Sequence, residues 1–191
     1  MPETAIQPQA GLLVAVVGSS GAGKDSLIRF ACASLPANTG IYFVKRVVTR
    51  PPGAGAEEHT AMSEAEFAAA EAAGAFALTW QAHGLCYGVP VAGLEHVRAG
   101  GLAVLNGSRA ALGRTVECFG RVQVIEVTAS PEAIASRLGG RRRETAEDIE
   151  RRLARRIDHY PGADGAIRID NSGALETAGQ AFTDILLRLA R

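Results

Sequence analysis

The sequence predicts an α/β fold, a parallel sheet with helices on both faces built around a phosphate-binding loop. Three observations predict it. The glycine-rich run Gly18-Ser19-Ser20-Gly21-Ala22-Gly23-Lys24-Asp25-Ser26 directly follows the apolar stretch Leu12 to Val17 and precedes the amphipathic segment Leu27 to Leu35. Further along, apolar strand-like runs alternate with segments of helical period, which is the pattern of parallel strands joined by crossover helices. Finally, 191 residues with 47% hydrophobic content suffice for one substantial core, so a single domain over residues 1–191 is expected.

The elements follow in order. Residues 1–10 read as a loose lead-in, and Leu12 to Val17 as a buried strand. The glycines after it let the backbone curl until successive N–H groups face an anion, the next helix adds its positive N-terminal dipole, and Lys24 reaches the outer phosphates of a nucleotide. Gly18 through Ser26 is therefore read as a nucleoside-triphosphate site. The place after the lysine normally carries a Ser or Thr that ligates Mg²⁺. Here it is Asp25, with a hydroxyl one place later at Ser26.

Ile41 to Val48, rich in β-branched and aromatic residues, reads as a second strand, and Thr49 to Met62 as a polar loop. Ser63 with Glu66 is a capping-box signature for a helix over Glu64 to Ala73 that stops at Gly74. Phe76 to Trp80 and the stretch around Cys86-Tyr87-Gly88 read as short strands turning at Gly84, a small sheet away from the main core. A helix over Val91 to Ala99, a strand over Leu102 to Leu105, a helix over Arg109 to Phe119 and a strand over Val122 to Val127 come next. Ser130 and Pro131 supply a cap and first residue for a helix to Leu138. Thr145 and Asp148 restart a helix that runs to about Tyr160. Ala166 to Ile169 is a last strand and Leu175 to Ala190 a closing amphipathic helix.

Twenty basic and twenty acidic residues cancel, so no global field points to a nucleic acid or a membrane surface. The distribution is uneven: eight of eighteen arginines lie between Arg137 and Arg156, against four acids. Such a run is either a solvated helix face laced with ion pairs or a phosphate-binding cluster. Cys32, Cys86 and Cys118 have neither disulfide-framework nor zinc spacing, and His59, His96 and His159 have no metal-like spacing. The start Met1-Pro2-Glu3-Thr4 lacks a basic region followed by an apolar core, and no apolar run approaches a membrane span, so a cytoplasmic protein is expected.

The loop, Thr49-Arg50-Pro51, Gly84-Leu85-Cys86-Tyr87-Gly88, and the run Arg137-Leu138-Gly139-Gly140-Arg141 continuing to Glu144-Thr145 and Arg152-Leu153 resemble the guanylate-kinase branch of the P-loop kinases. The resemblance spans nearly the whole chain. It implies the P-loop nucleoside-triphosphate hydrolase fold of the guanylate-kinase type, with an acceptor-binding insertion over about 46–90 and an arginine-rich lid over about 138–152. Arg50 would lie in the acceptor region, Arg141 and Arg152 would clamp the transferred phosphate, and Asn171 would face adenine.

Departures narrow the match. The second acceptor-phosphate arginine expected after Arg50 falls near Gly53, the tyrosine of the acceptor loop near His59, and the carboxylate that reads guanine at or near Leu78. An aliphatic side chain cannot accept a hydrogen bond from guanine, so an acceptor other than GMP is expected. Gly23-Lys24-Asp25-Ser26, Arg46-Val47-Val48-Thr49-Arg50-Pro51, Phe76-Ala77-Leu78, Trp80-Gln81-Ala82-His83-Gly84 and Leu105-Asn106-Gly107-Ser108-Arg109 resemble the ribose 1,5-bisphosphate phosphokinases. That family moves the γ-phosphoryl of ATP to the 1-phosphate of ribose 1,5-bisphosphate, giving 5-phosphoribosyl 1-diphosphate, a step of phosphonate use in bacteria.

What the resemblance implies for the site is as follows. Lys24, Arg141 and Arg152 are catalytic; Gly18, Ser19, Ser20, Gly21, Ala22, Gly23, Lys24, Asp25 and Ser26 bind ATP; Asp25 and Ser26 serve Mg²⁺. Arg50, Gln81, His83, Tyr87 and Arg109 bind the phosphosugar. Trp80 reads as core, and His83 as either structural or sugar-binding. A homodimer is compatible with the sequence, and neither a nucleic-acid nor a membrane partner is expected. Two other readings stay open: a nucleoside-monophosphate kinase with altered base contacts, and a non-catalytic binding module of the guanylate-kinase type.

Overall fold

Strand and helix alternate in the folded chain as the sequence pattern requires. A computed structural model describes residues 11–50, 59–82, 84–139 and 160–191. In chain order these hold β1 (Leu12–Val17), α1 (Lys24–Ser34), β2 (Ile41–Val44), β3 (Val47–Val48), β4 (Thr60–Ala61), α2 (Glu64–Ala72), β5 (Phe76–Ala82) and β6 (Leu85–Pro90). There follow α3 (Val91–Arg98), β7 (Leu102–Asn106), α4 (Leu112–Phe119), β8 (Val122–Thr128), α5 (Pro131–Gly139), β9 (Ile167–Asp170) and α6 (Leu175–Leu189). The expected lead-in at 1–10, residues 51–58, most of the lid at 140–152 and the restarted helix lie outside the described residues.

A five-stranded sheet runs in the order β2-β7-β1-β8-β9 with every neighbouring pair parallel. β1 is central and buried along its whole length, which is why it reads as an unbroken apolar run rather than an alternating one. Its two faces feed two cores. Val14 and Val16 pack with Leu27 and Ala31 of α1 and with Phe182 and Leu186 of α6. Leu13 packs on the opposite face with Leu94 and Val97 of α3 and Phe119 of α4, and Ala15 and Val17 pack with Leu112.

From β1 the chain fills one side of the sheet with β2 and β7 and then crosses to the other with β8 and β9. The order therefore reverses at β1, and in open α/β sheets ligands bind beyond the strand C-termini at such a switch. Val17, Asn106, Thr128 and Asp170 end four strands at that edge.

The small sheet runs β4-β3-β6-β5. The single strand expected over Ile41 to Val48 is divided: Ile41–Val44 joins the main sheet and Val47–Val48 the small one. Arg46 marks the break. Its side chain is only 7% exposed, and its guanidinium lies over aromatic rings of the small sheet instead of in an apolar strand face. The helix expected over Arg109 to Phe119 likewise begins as a tighter 3₁₀ turn, Arg109–Ala111, closed by Ala111 N–H donating to Ser108 O at 2.9 Å.

Two caps form as the sequence predicts. Ser63 and Glu66 make a reciprocal capping box at α2, and Ser130 Oγ accepts from Ala133 N at 3.2 Å at the start of α5. Ser130 N–H donates in turn to Ser172 Oγ at 2.8 Å, which fixes α5 beside the loop after β9. No helix among the described residues is long and apolar enough to cross a membrane.

Candidate active site

The turn from β1 into α1 needs glycine at both ends for different reasons. Gly18 has φ +147°, and a Cβ there would lie 2.1 Å from Val127 O of β8. Gly23 has φ +93°, and a Cβ there would lie 2.2 Å from Asn171 Nδ2. Both positions combine a backbone that side chains rarely adopt with contact to the neighbouring strand ends. Ala22 N–H donates to Ser19 O at 3.2 Å inside the turn, and α1 starts at Lys24. Lys24 Nζ donates to Gly18 O at 2.9 Å and Ser19 O at 3.0 Å, so the ammonium spans the mouth of the loop. Amide groups, helix dipole and ammonium thus converge on one point, which is the chemistry of a polyphosphate cradle.

Asp25 and Ser26 occupy the first turn of α1, both half-buried. The Asp25 carboxylate accepts a short hydrogen bond from Asn106 Nδ2 at the tip of β7, which is in register with Val16 beside it. Asn106 is buried, and its Oδ1 has no hydrogen-bond partner among the described residues. A carboxylate, a hydroxyl in the same helical turn and an orphaned amide oxygen form an all-oxygen donor set, and hard divalent cations such as Mg²⁺ take such donors. The residues present therefore fit the ion that this kind of loop implies. Among the described residues no cluster of three His, Cys, Asp or Glu forms an alternative metal site.

Two arginines brace the loop from opposite sides. Arg109 Nη2 donates to Ser19 Oγ at 3.3 Å, and Arg109 Nη1 lies 3.7 Å from Glu126 Oε1 on β8. Glu126 Oε2 is also 3.3 Å from Arg168 Nε on β9, so one carboxylate anchors two cations at the strand ends. Burial, and then the nearby Glu126 charge, push the Tyr160 hydroxyl above its usual pKa and keep it neutral. On the other side Arg137 of α5 donates to Asn171 O at 2.6 Å and Ala22 O at 3.4 Å, while Asn171 Nδ2 donates to Ala22 O at 2.8 Å. The side-chain amide of Asn171 thus lies against the loop backbone.

The small sheet is built around a stack. The Trp80 and Tyr87 rings are 5.2 Å apart and 4° from parallel, with the Arg46 guanidinium 5.7 Å and 5.3 Å from their centroids. Tyr87 is buried in this stack, Gln81 on β5 is exposed, and Arg50 is half-buried just past β3. Thr49 fixes that end: its Oγ1 accepts from Cys86 N–H at 2.8 Å and its N–H donates to Cys86 O at 3.0 Å. Leu78 packs with Leu13, Val89 and Leu94 in the core. The position aligned with the guanine reader thus faces apolar neighbours, which explains its aliphatic side chain.

Lys24, Asp25, Ser26 and Arg109 are brought together at the strand tips, and Arg50, Gln81 and Tyr87 belong to the small sheet. His83, Arg141 and Arg152 lie outside the described residues. Asn106 and Arg46 belong to the motifs but not to the expected site residues, yet each touches one of these. Their signals were local: a polar side chain closing an apolar strand before Gly107, and a charge in the middle of a β-rich run.

No family model matches the chain. Curated proteins do. It is 44% identical over 178 residues to the ribose 1,5-bisphosphate phosphokinase PhnN of Agrobacterium fabrum, a match covering 93% of this chain and 97% of the relative. With the PhnN of Ruegeria sp. it shares 47% over 173 residues, covering 90% and 89% respectively. Among solved structures, guanylate kinase from Anaplasma phagocytophilum matches with TM-score 0.68 and 17% identity over 94% of this chain and 86% of that one. A gluconokinase from Sinorhizobium meliloti matches with TM-score 0.51 and 17% identity over 96% and 95%. Those two likenesses establish the guanylate-kinase type of P-loop fold and say nothing of the acceptor. Shared sequence along nearly the whole length, carried on a fold whose loop is built to hold a polyphosphate, does: the chain belongs to the ribose 1,5-bisphosphate phosphokinase family.

Proposed function

We propose that this protein transfers the γ-phosphoryl group of ATP to the 1-phosphate of ribose 1,5-bisphosphate, releasing 5-phospho-α-D-ribose 1-diphosphate and ADP. The observation that carries the reading is the 44% identity across 93% of the chain with a relative bearing that activity in its name. The core position of Leu78 supports it, since a guanine-reading side chain has no place there. A nucleoside-monophosphate kinase or a non-catalytic module has no comparable observation in its favour.

The chemistry asks little of a general base. A phosphate-monoester oxygen is already anionic near neutral pH, so catalysis reduces to holding two highly charged reactants in line and offsetting the charge that develops. In this reading Lys24 moves from its loop carbonyls to the outer phosphates of ATP, and the Gly18 to Gly23 amides hold the rest. Asp25 and Ser26, with Asn106 behind them, would hold Mg²⁺, which supplies further charge neutralisation at the β- and γ-phosphates when bound. Arg109, anchored by Glu126 beside Ser19, and Arg50, just past β3, would bind the acceptor phosphates. Gln81, His83 and Tyr87 bind the sugar, and Arg141 and Arg152 clamp the moving phosphoryl group. We place the protein in the cytoplasm, where ATP is abundant and its three free cysteines stay reduced.

A coupled ATP assay run in parallel on ribose 1,5-bisphosphate, GMP and AMP tests the reading. Turnover is expected on the bisphosphate alone. Faster phosphorylation of GMP would replace it with the nucleotide-kinase alternative.

A further inference from the structure

We infer that Asp25 and Asn106 are an exchanged pair: the metal-holding carboxylate sits on the loop, and the strand tip carries the amide that positions it. The inference rests on the proposed reading of the loop as a metal-assisted nucleotide site. It adds a residue, Asn106, and a reason for the unusual Asp25.

In the common arrangement of P-loop enzymes a neutral Ser or Thr hydroxyl on the loop and a strand-borne Asp together hold the ion. This chain has a carboxylate at the loop place and an amide on the strand tip that touches it. The two arrangements carry the same charge, one negative, on opposite sides of the same contact. That equality explains why an aspartate at position 25 goes with an uncharged residue at 106. Two carboxylates in direct contact would repel or share a proton, whereas an amide donates to the carboxylate and keeps an acceptor of its own.

The geometry leaves that acceptor with a task. The amide N–H₂ must face Asp25, because an ionised carboxylate only accepts, and this turns Oδ1 away from the carboxylate. Oδ1 is buried and has no partner among the described residues, although buried polar atoms are nearly always paired. A hydrated divalent ion beside Asp25 supplies what is missing, either as a water O–H donor or as the cation itself. Asn106 is thus a positioning residue. It fixes the Asp25 carboxylate and closes the donor set from the strand side, as partners behind a ligand do in other metal sites.

The test transposes the charge. Full-length wild type, Asp25→Asn, Asn106→Ala and the double variant Asp25→Asn with Asn106→Asp are titrated calorimetrically with ADP, with and without Mn²⁺. The quantity read is the factor by which Mn²⁺ tightens ADP. Asp25→Asn should reduce that factor about ten-fold or more, and the double variant, which reverses the hydrogen bond and returns the charge, should restore it to within about three-fold of wild type. Asn106→Ala alone should lower the factor about ten-fold while leaving metal-free ADP affinity unchanged. An unaltered factor in Asp25→Asn, or a double variant that melts normally yet binds no better than Asp25→Asn, would overturn the inference. If the double variant melts early, Asn106→Ala decides alone: equal losses with and without metal, or no loss, sink the positioning role. None of these readouts involves the acceptor, so failure here is separable from failure of the proposed substrate.

Discussion

The phosphate-loop end and the small-sheet end of this protein are made of different material. At the first, the loop is held largely through its backbone, Lys24 on the carbonyls of Gly18 and Ser19 and Arg137 and Asn171 on the carbonyl of Ala22, with the Asp25–Asn106 and Arg109–Ser19 side-chain pairs at its rim. At the second, side chains meet side chains, with Arg46, Trp80 and Tyr87 arriving from β5, β6 and the approach to β3. A backbone-built site demands glycines and a lysine in one contiguous run, so its chemistry is general to triphosphates. A side-chain site is dispersed along the chain and can change its ligand by substitution without altering the fold. The same scaffold can therefore keep its donor while its acceptor differs between families.

The sharpest way to break this contrast is Lys24→Ala. If the loop is backbone-built and the lysine serves phosphates rather than a core, turnover should fall about a thousand-fold, near 4 kcal/mol of transition-state stabilisation, while the melting curve barely moves. Steady-state kinetics beside a thermal melt decide it. A large drop in melting temperature would mean that the two carbonyl contacts of Lys24 hold the fold and not only the loop.

Leu78→Ala should act in the opposite manner, costing about 3 kcal/mol in urea unfolding because its side chain fills the core between β5 and α3. Its KM for the acceptor should stay within about two-fold once folded protein is counted, since no part of the side chain reaches the ligand in this reading. A rise in acceptor KM with unchanged stability would return Leu78 to the binding surface.

Gly23→Ala tests the loop from its own side. The added methyl meets Asn171 Nδ2 in a backbone of positive φ, so strain and clash together should cost about 2 kcal/mol and weaken ADP binding, as seen by urea titration and calorimetry. A companion Asn171→Ala substitution removes the clash but not the φ penalty. It should recover part of the loss, and no recovery would show that Asn171 does not press on the loop.

The loop, the strand order's central run and the two caps were legible because each is a short-range pattern tied to one local geometry. The division at Arg46 was not. Six of the eight residues from Ile41 to Val48 carry strand propensity, and the aromatic faces of Trp80 and Tyr87, distant in sequence, help to make a buried guanidinium favourable at the break. The inward turn of Leu78 was not legible for a related reason, because alignment gives a position but not the side to which its side chain points. The contact of Asn171 is of a third kind: its amide is adjacent to Ala22 only after β9 has paired with β8, a contact no window of sequence contains.

The smallest effect expected lies beside the small sheet but outside its stack, at the Ser63 cap of α2. Ser63 Oγ accepts from Glu66 N–H at 3.2 Å, and Glu66 Oε2 accepts from Ser63 N–H and Oγ–H, each at 2.7 Å. Hydrogen bonds to the charged form lower the Glu66 pKa, first from the Ser63 backbone and then from its hydroxyl. Ser63→Ala should destabilise the protein by about 1 kcal/mol at neutral pH, most of it from the lost cap. The sign of the pH effect follows from the lowered pKa: the carboxylate's contribution is present above the unfolded glutamate pKa and is lost as pH falls through the folded value. The gap between wild type and Ser63→Ala should therefore narrow in acid, measured by urea melts from neutral pH down through the glutamate range. A gap that stays constant would show that Glu66 takes no part in the cap, and a wider one in acid would reverse the sign and remove the capping box as its cause.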